Sequence, residues 1–172
     1  MKIIEALKKK KDLLRKAEDI RGKIKTYCAD LDFEIPVYKT ETDQRAQVKE
    51  WIQAHFDILK EISSLSLAIT RTNISTQVTI ELGGKQVKKS IAEWLIRRQS
   101  LIKLDQAAWA ALTDRGLKPG HYQKTSGVNE NFQVRRYYDQ KERDVQMDLL
   151  NAEPSLIDSA LEIANAVSDL IE

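Results

Sequence analysis

Hydrophobic side chains recur at a strict interval through the first thirty or so residues. Ile3, Leu7, Lys10, Leu14, Ala17, Arg21, Ile24, Cys28 and Leu31 alternate in steps of four and three, apolar except at Lys10 and Arg21. Such a heptad seam predicts a helix packed lengthwise on another helix. Gly22 costs that helix about 1 kcal/mol against Ala, which a long periodic pattern absorbs. Asp32-Phe33-Glu34-Ile35-Pro36-Val37-Tyr38 then ends it, since Pro36 and the β-branched residues favour extended backbone. A second helix is predicted from Asp43 to about Thr72, with Thr42 as N-cap. Its seam is Val48, Ile52, His55, Leu59, Ile62, Ser66 and Ile69, and Trp51, Ile58 and Leu65 form an apolar flank. Two matched seams across a short break predict a long antiparallel helical hairpin with arms of about 45 Å. The flank is more than one neighbouring helix can cover, so further helices or another subunit are expected on it.

The period then changes. Gln77 to Leu82 alternates, Gly83-Gly84 turns, and Lys85-Gln86-Val87 returns, which predicts a small β-hairpin. Ser90-Ile91-Ala92-Glu93 has the form of a capping box and opens a third long helix through Leu112, ended by Gly116 and Pro119. Residues 117–131 read as a loop. Phe132-Gln133-Val134-Arg135-Arg136-Tyr137-Tyr138 alternates in part and is expected as a third strand beside the hairpin. C-terminal helices follow from Asp139, with Pro154 either starting a new one or kinking a continuous one. The last carries two apolar stripes, Leu156, Ala160, Ile163, Val167, Leu170 and Ile157, Leu161, Ala164, Ile171, and is expected between neighbours. The fold class is therefore mainly α with a small β insertion. It is expected as a single helical domain over 1–172, in segments 1–72, 74–138 and 139–172.

Composition narrows the class. A chain of 172 residues, 42% hydrophobic with six Gly and three Pro, is neither disordered nor of low complexity. One cysteine, Cys28, excludes an internal disulfide framework, and on its seam it reads as a small buried hydrophobe. No apolar run approaches the ~20 residues of a membrane span, and a secretory signal is not expected. The net charge of +2 conceals an uneven distribution. Residues 1–31 carry a net +5 and residues 139–172 a net −7. A basic start and an acidic end suggest surfaces that satisfy each other, within a subunit or between subunits.

Catalytic and metal patterns are missing. His55 and His121 fall in different elements, Cys28 has no Cys or His at ligand spacing, and no serine sits in a nucleophile elbow. In a heptad seam His55 sets register. Gly83-Gly84-Lys85 lacks the rest of a phosphate loop, and acidic pairs such as Glu142/Asp144 and Asp158/Glu162 are not singled out by any partner. Two basic features qualify as nucleic-acid contacts: Lys8, Lys9, Lys10 and Lys11, which point all round a helix, and Arg135 and Arg136 among aromatics.

Lys2-Ile3-Ile4-Glu5-Ala6-Leu7, the stretch Leu67-Ala68-Ile69-x-Arg71-Thr72-Asn73-x-x-Thr76, and Arg97-Arg98-x-x-Leu101 resemble the septicolysin-like family of small helical bacterial proteins. Trp51-Ile52-Gln53, Val78 to Lys85, and Glu153-Pro154-Ser155-Leu156-Ile157-Asp158 resemble small proteins of tailed bacteriophages. That resemblance implies a virion-associated or assembly role and offers no catalytic residues. The leading expectation is a non-enzymatic structural protein without cofactors, located in a virion or the host cytoplasm. It forms a homo-oligomer, with other virion proteins as further partners, and Trp51, Ile58, Leu65, Ile157 and Leu161 are its interface or core anchors. The alternative is a nucleic-acid-binding accessory protein using the basic first helix and Arg135/Arg136.

Overall fold

Two long helices open the computed structural model, which describes residues 1–171, and of Gln123 and Asn129 the backbone alone. Glu172, counted above in the acidic segment, lies outside the described residues. Helix α1 spans Ile3–Tyr27 and α2 spans Glu41–Ser75. Thr40, not Thr42, is the N-cap of α2: its hydroxyl accepts the Asp43 amide at 3.1 Å and Glu41 falls in the first turn. With 35 residues α2 is about 52 Å long.

The hairpin forms as its spacing predicts, but its seam is rotated by one residue on both helices. On α1 the covered positions are Ile3, Ala6, Lys10, Leu13, Ala17, Ile20, Ile24 and Tyr27, while Leu7, Leu14, Arg21 and Cys28 face solvent. On α2 they include Val48, Trp51, His55, Ile58, Ile62, Leu65 and Ile69, while Ile52 and Leu59 face solvent. Four of the nine positions of the first expected seam and five of the seven of the second, Ser66 among them, are covered. On α1 the rest of the seam comes from the neighbouring column, where no cation has to be buried: Ile20 goes in and Arg21 stays out. Ala6, Leu13, Leu65 and Ile69 form the core, with Ile58, Ile62 and Leu170 against it. Cys28 is therefore exposed and not the buried hydrophobe expected.

At the hairpin tip Tyr27, Tyr38 and Trp51 pack edge to face or tilted, with ring centroids 5.7–6.4 Å apart. Gln44 ties this corner together, donating to the Tyr27 carbonyl at 2.7 Å and accepting the Tyr38 amide at 3.2 Å. At the other end the chain termini clasp. The Ile3 amide donates to the Ser168 carbonyl, the Leu170 amide donates to the Met1 carbonyl, and Ile171 donates to the buried Thr72 hydroxyl.

Strands β1 (Gln77–Leu82) and β2 (Lys85–Ser90) form the expected antiparallel hairpin, with Ile80 opposite Val87. Gly83 and Gly84 both take positive φ, 56° and 77°, as a two-residue hairpin turn requires. Ser90 then caps α3 (Ile91–Ile96) in the capping box read from the sequence, its hydroxyl accepting the Glu93 amide. The Ser90 hydroxyl and amide hold the Glu93 carboxyl below its usual range. The third helix does not run uninterrupted to Gly116. It passes through a π-helical turn, Arg97–Leu101, continues as α4 (Ile102–Ala110) and stops short of Leu112. No third strand joins β1 and β2. Residues 133–138 carry no strand, and the loop expected over 117–131 instead holds a second antiparallel pair, β3 (Gly120–Gln123) with β4 (Asn129–Phe132).

Helix α5 runs unbroken over Gln140–Val167 with Pro154 inside it. Proline has no N–H, so the Leu150 carbonyl loses its helical donor. The Gln106 side chain on α4 supplies a replacement, donating to the Leu150 carbonyl at 3.4 Å and to the Asn151 side chain at 3.0 Å. Replacing Gln106 by Leu is expected to cost about 1 kcal/mol by chemical denaturation, and less in a Pro154→Ala background that restores the missing N–H. Of the two apolar stripes on the last helix only Ile157, Leu161 and Ala164 are buried. Leu156, Ile163 and Val167 are exposed, so the helix is covered on one side rather than two.

Two compact units result: Met1–Thr76 with the chain from Glu162 on, and Gln77–Leu161. The C-terminal segment 139–172 is thus shared between them.

Candidate functional site

The most distinctive surface lies on the α1–α2 hairpin. Ile4, Leu7 and Leu14 on α1, and Ile52, Phe56 and Leu59 on α2, are each 42–56% exposed. Each stands one residue beyond a seam position, about 100° further round its helix. Because the helices run antiparallel, that common offset turns both stripes to the same face of the hairpin. Leu31, Phe33, Ile35 and Val37 add a second exposed apolar group at the tip. Monomers seldom leave such extended apolar surface in water.

The expected anchors separate by role. Leu65, Ile157 and Leu161 are buried core residues. Ile58 packs against the core of the hairpin, and Trp51 belongs to the aromatic corner at its tip. The residues with freedom to meet a partner are the neighbours Ile52, Phe56 and Leu59, which a correct choice of heptad column would have found.

Charge is organised mainly across the second unit. Arg97, in the π-helical turn, is held by Glu153 in a two-pronged pair at 2.7 and 2.8 Å and also by Asp105. Glu153 is 5% exposed, so a carboxylate sits in the buried column of α5 and requires this cation. That partnership, Glu153 first, raises the already high Arg97 pKa. Arg98 grips Asp158 with contacts of 2.9–3.1 Å. The π-turn arginines therefore meet two acids of the last helix, Glu153 and Asp158. Among the described residues Lys2 is the lysine of the basic start that bonds the C-terminal segment, donating to the Val167 carbonyl and Asp169. Lys2 in turn holds the Asp169 carboxyl below its usual range.

The two basic features lie in different units. Lys9 pairs with Glu61 at 2.6 Å, Lys10 is half-buried in the seam, and Lys8 and Lys11 are exposed. Arg136 forms two 2.6 Å bonds to Asp114, which Tyr138 also approaches, and Arg135 stays exposed. Arg136 is the main reason the Asp114 carboxyl lies below its usual range.

His55 lies half-buried in the seam, and His121 on β3 hydrogen-bonds Asn131 across the strand pair. Among the described residues no three His, Cys, Asp or Glu side chains are grouped to hold a metal ion. In the same residues no helix is long and apolar enough to cross a membrane. Compared with family models, curated proteins and solved structures, the chain matches none.

Proposed function

We propose that this chain is a non-catalytic assembly protein that forms a homo-oligomer through the apolar face of its α1–α2 hairpin. The observation that carries the reading is the row Ile4, Leu7, Leu14, Ile52, Phe56 and Leu59, half-exposed on one face. Burying what remains exposed of six such side chains is worth roughly half of 1.5–3 kcal/mol each. In an interface that pairs the face with itself the contribution counts twice, roughly 9–18 kcal/mol in all. Association costs about 4–15 kcal/mol in lost freedom, and micromolar self-association needs a surplus of about 8 kcal/mol, which the upper part of the burial range supplies over the lower part of the cost.

The likeness of Trp51-Ile52-Gln53, of the β1–β2 hairpin and of Glu153 to Asp158 to small tailed-phage proteins gives this role its setting, a component of a bacteriophage virion. The septicolysin-like pattern at Leu67 to Thr76 fits the same picture of a helical protein without an active site.

Light scattering after size exclusion at tens of micromolar tests the reading. A mass of two or more chains is expected for the natural sequence. Leu7→Glu with Phe56→Glu should return the mass to one chain with helical circular dichroism unchanged. A natural sequence that elutes as a single chain at that concentration overturns it.

A further inference from the structure

The geometry points to a binding site for single-stranded nucleic acid within the second unit, where the chain leaves α4 and approaches α5. A cavity of about 240 Å³ opens there, lined by Leu112, Leu117 and Val134, by three arginines and by Asp114. Arg115 and Arg135 line it, and both are exposed. Arg136 spends its Nε and Nη2 on Asp114, which fixes the two chain segments against each other and leaves Arg115 and Arg135 to act outward. Arg115 keeps φ at 55°, a left-handed backbone that a long side chain seldom adopts without a local reason. Tyr137, also lining the cavity, is 89% exposed, an aromatic ring offered to solvent beside Arg136 in the chain.

Each feature matches one part of a nucleotide. A flat ring accepts a base by stacking, and two free guanidinium groups accept phosphates. The cavity is smaller than the roughly 300–1,000 Å³ of pockets that enclose whole ligands. It suits one base or phosphate of a chain that continues outside, which favours a strand over a free nucleotide. Stacking on a ring and contacts to phosphate carry no base-edge information, so the recognition is tolerant of sequence. The lysines of α1 take no part, since they are spread round that helix.

Fluorescence anisotropy with a labelled oligothymidylate of about twelve nucleotides tests the assignment. Binding is expected at low salt and should weaken roughly sevenfold between about 50 and about 200 mM salt if two phosphates are contacted. Tyr137→Ala should weaken it at least about fivefold, while Tyr137→Phe should bind as the natural sequence does. Arg115→Asn, which tolerates the left-handed backbone, combined with Arg135→Ala should weaken binding and flatten the salt dependence. Lys8→Ala with Lys11→Ala should leave it unchanged. The proposal is overturned by no anisotropy change at low salt, or by equal loss in the lysine variant. Competition by duplex DNA as strong as by single strand, or by thymidine monophosphate at equal nucleotide concentration, also overturns it. The oligomer measurement above is unaffected by either result, so the two readings fail separately.

Discussion

Replacing Glu153 by Ala is expected to remove about 3–5 kcal/mol of folding stability, the largest effect of any single charge change in this protein. The Arg97 side chain is 18% exposed and its Nε and Nη2 both end on the Glu153 carboxylate. Truncation would leave a guanidinium largely out of water with Asp105 as its remaining partner, and Asp105 is itself half-exposed. A half-exposed carboxylate is screened and cannot offset the lost pair in full. For a protein of this size the loss corresponds to a melting temperature lower by roughly 6–20 °C. Removing both charges with Arg97→Met and Glu153→Leu should recover most of the stability, because no unpaired ion remains. Thermal melts of the single and paired variants check this. A single Glu153→Ala variant within about 1 kcal/mol of the natural protein would show that water already screens the pair.

Trp94→Ala is the second large effect, expected at about 3–5 kcal/mol. Trp94 is fully buried, and its indole Nε1 donates to the Val78 carbonyl at 3.0 Å. One side chain therefore fills space beside α3 and satisfies a carbonyl on β1, anchoring the β1–β2 hairpin. Lys89 lies 5.2 Å over the ring and adds a smaller cation–π contribution. Trp94→Phe keeps much of the apolar volume but drops the N–H donor, and should cost about 1–3 kcal/mol for the orphaned carbonyl. Urea denaturation of both variants should reproduce this order. Equal losses would mean that packing contributes nothing beyond the hydrogen bond.

The hairpin and its seams illustrate how far pattern alone reaches. Ile3, Lys10, Ala17, Ile24 and Val48, His55, Ile62, Ile69 were placed correctly because they stand at the centre of each covered stripe. The adjoining column was ambiguous, with apolar residues on both sides of it. Leu7 and Leu14 rival Ala6 and Leu13 in hydrophobicity, and the difference shows only lower down, where one column holds Ile20 and the other Arg21. On α2 the wider choice of Trp51, Ile58 and Leu65 over Ile52, Leu59 and Ser66 carried the same signal. A one-residue rotation exchanges core for surface, so on α2 the expected flank at Ile58 and Leu65 is covered and the expected seam positions Ile52 and Leu59 are exposed. Cys28 moved with that column.

The features that the sequence determined by itself are those whose partners lie a few residues away. The Ser90–Glu93 cap, the Gly83-Gly84 turn and the presence of two long helices, though not their exact ends, depend on local hydrogen bonds and backbone conformation. Arg97 and Glu153 are 56 residues apart, and Gln106 and Leu150 are 44 apart. A buried carboxylate in α5 and a proline inside it read from sequence as an acidic helix and either a new helix start or a kink. Only the tertiary structure brings the cation and the donor that make each tolerable, because desolvation penalties are cancelled by whatever group the fold places nearby. The exposed apolar face was decided in the same way: the heptads said that each helix must pack, and the packing chose which column was left in water.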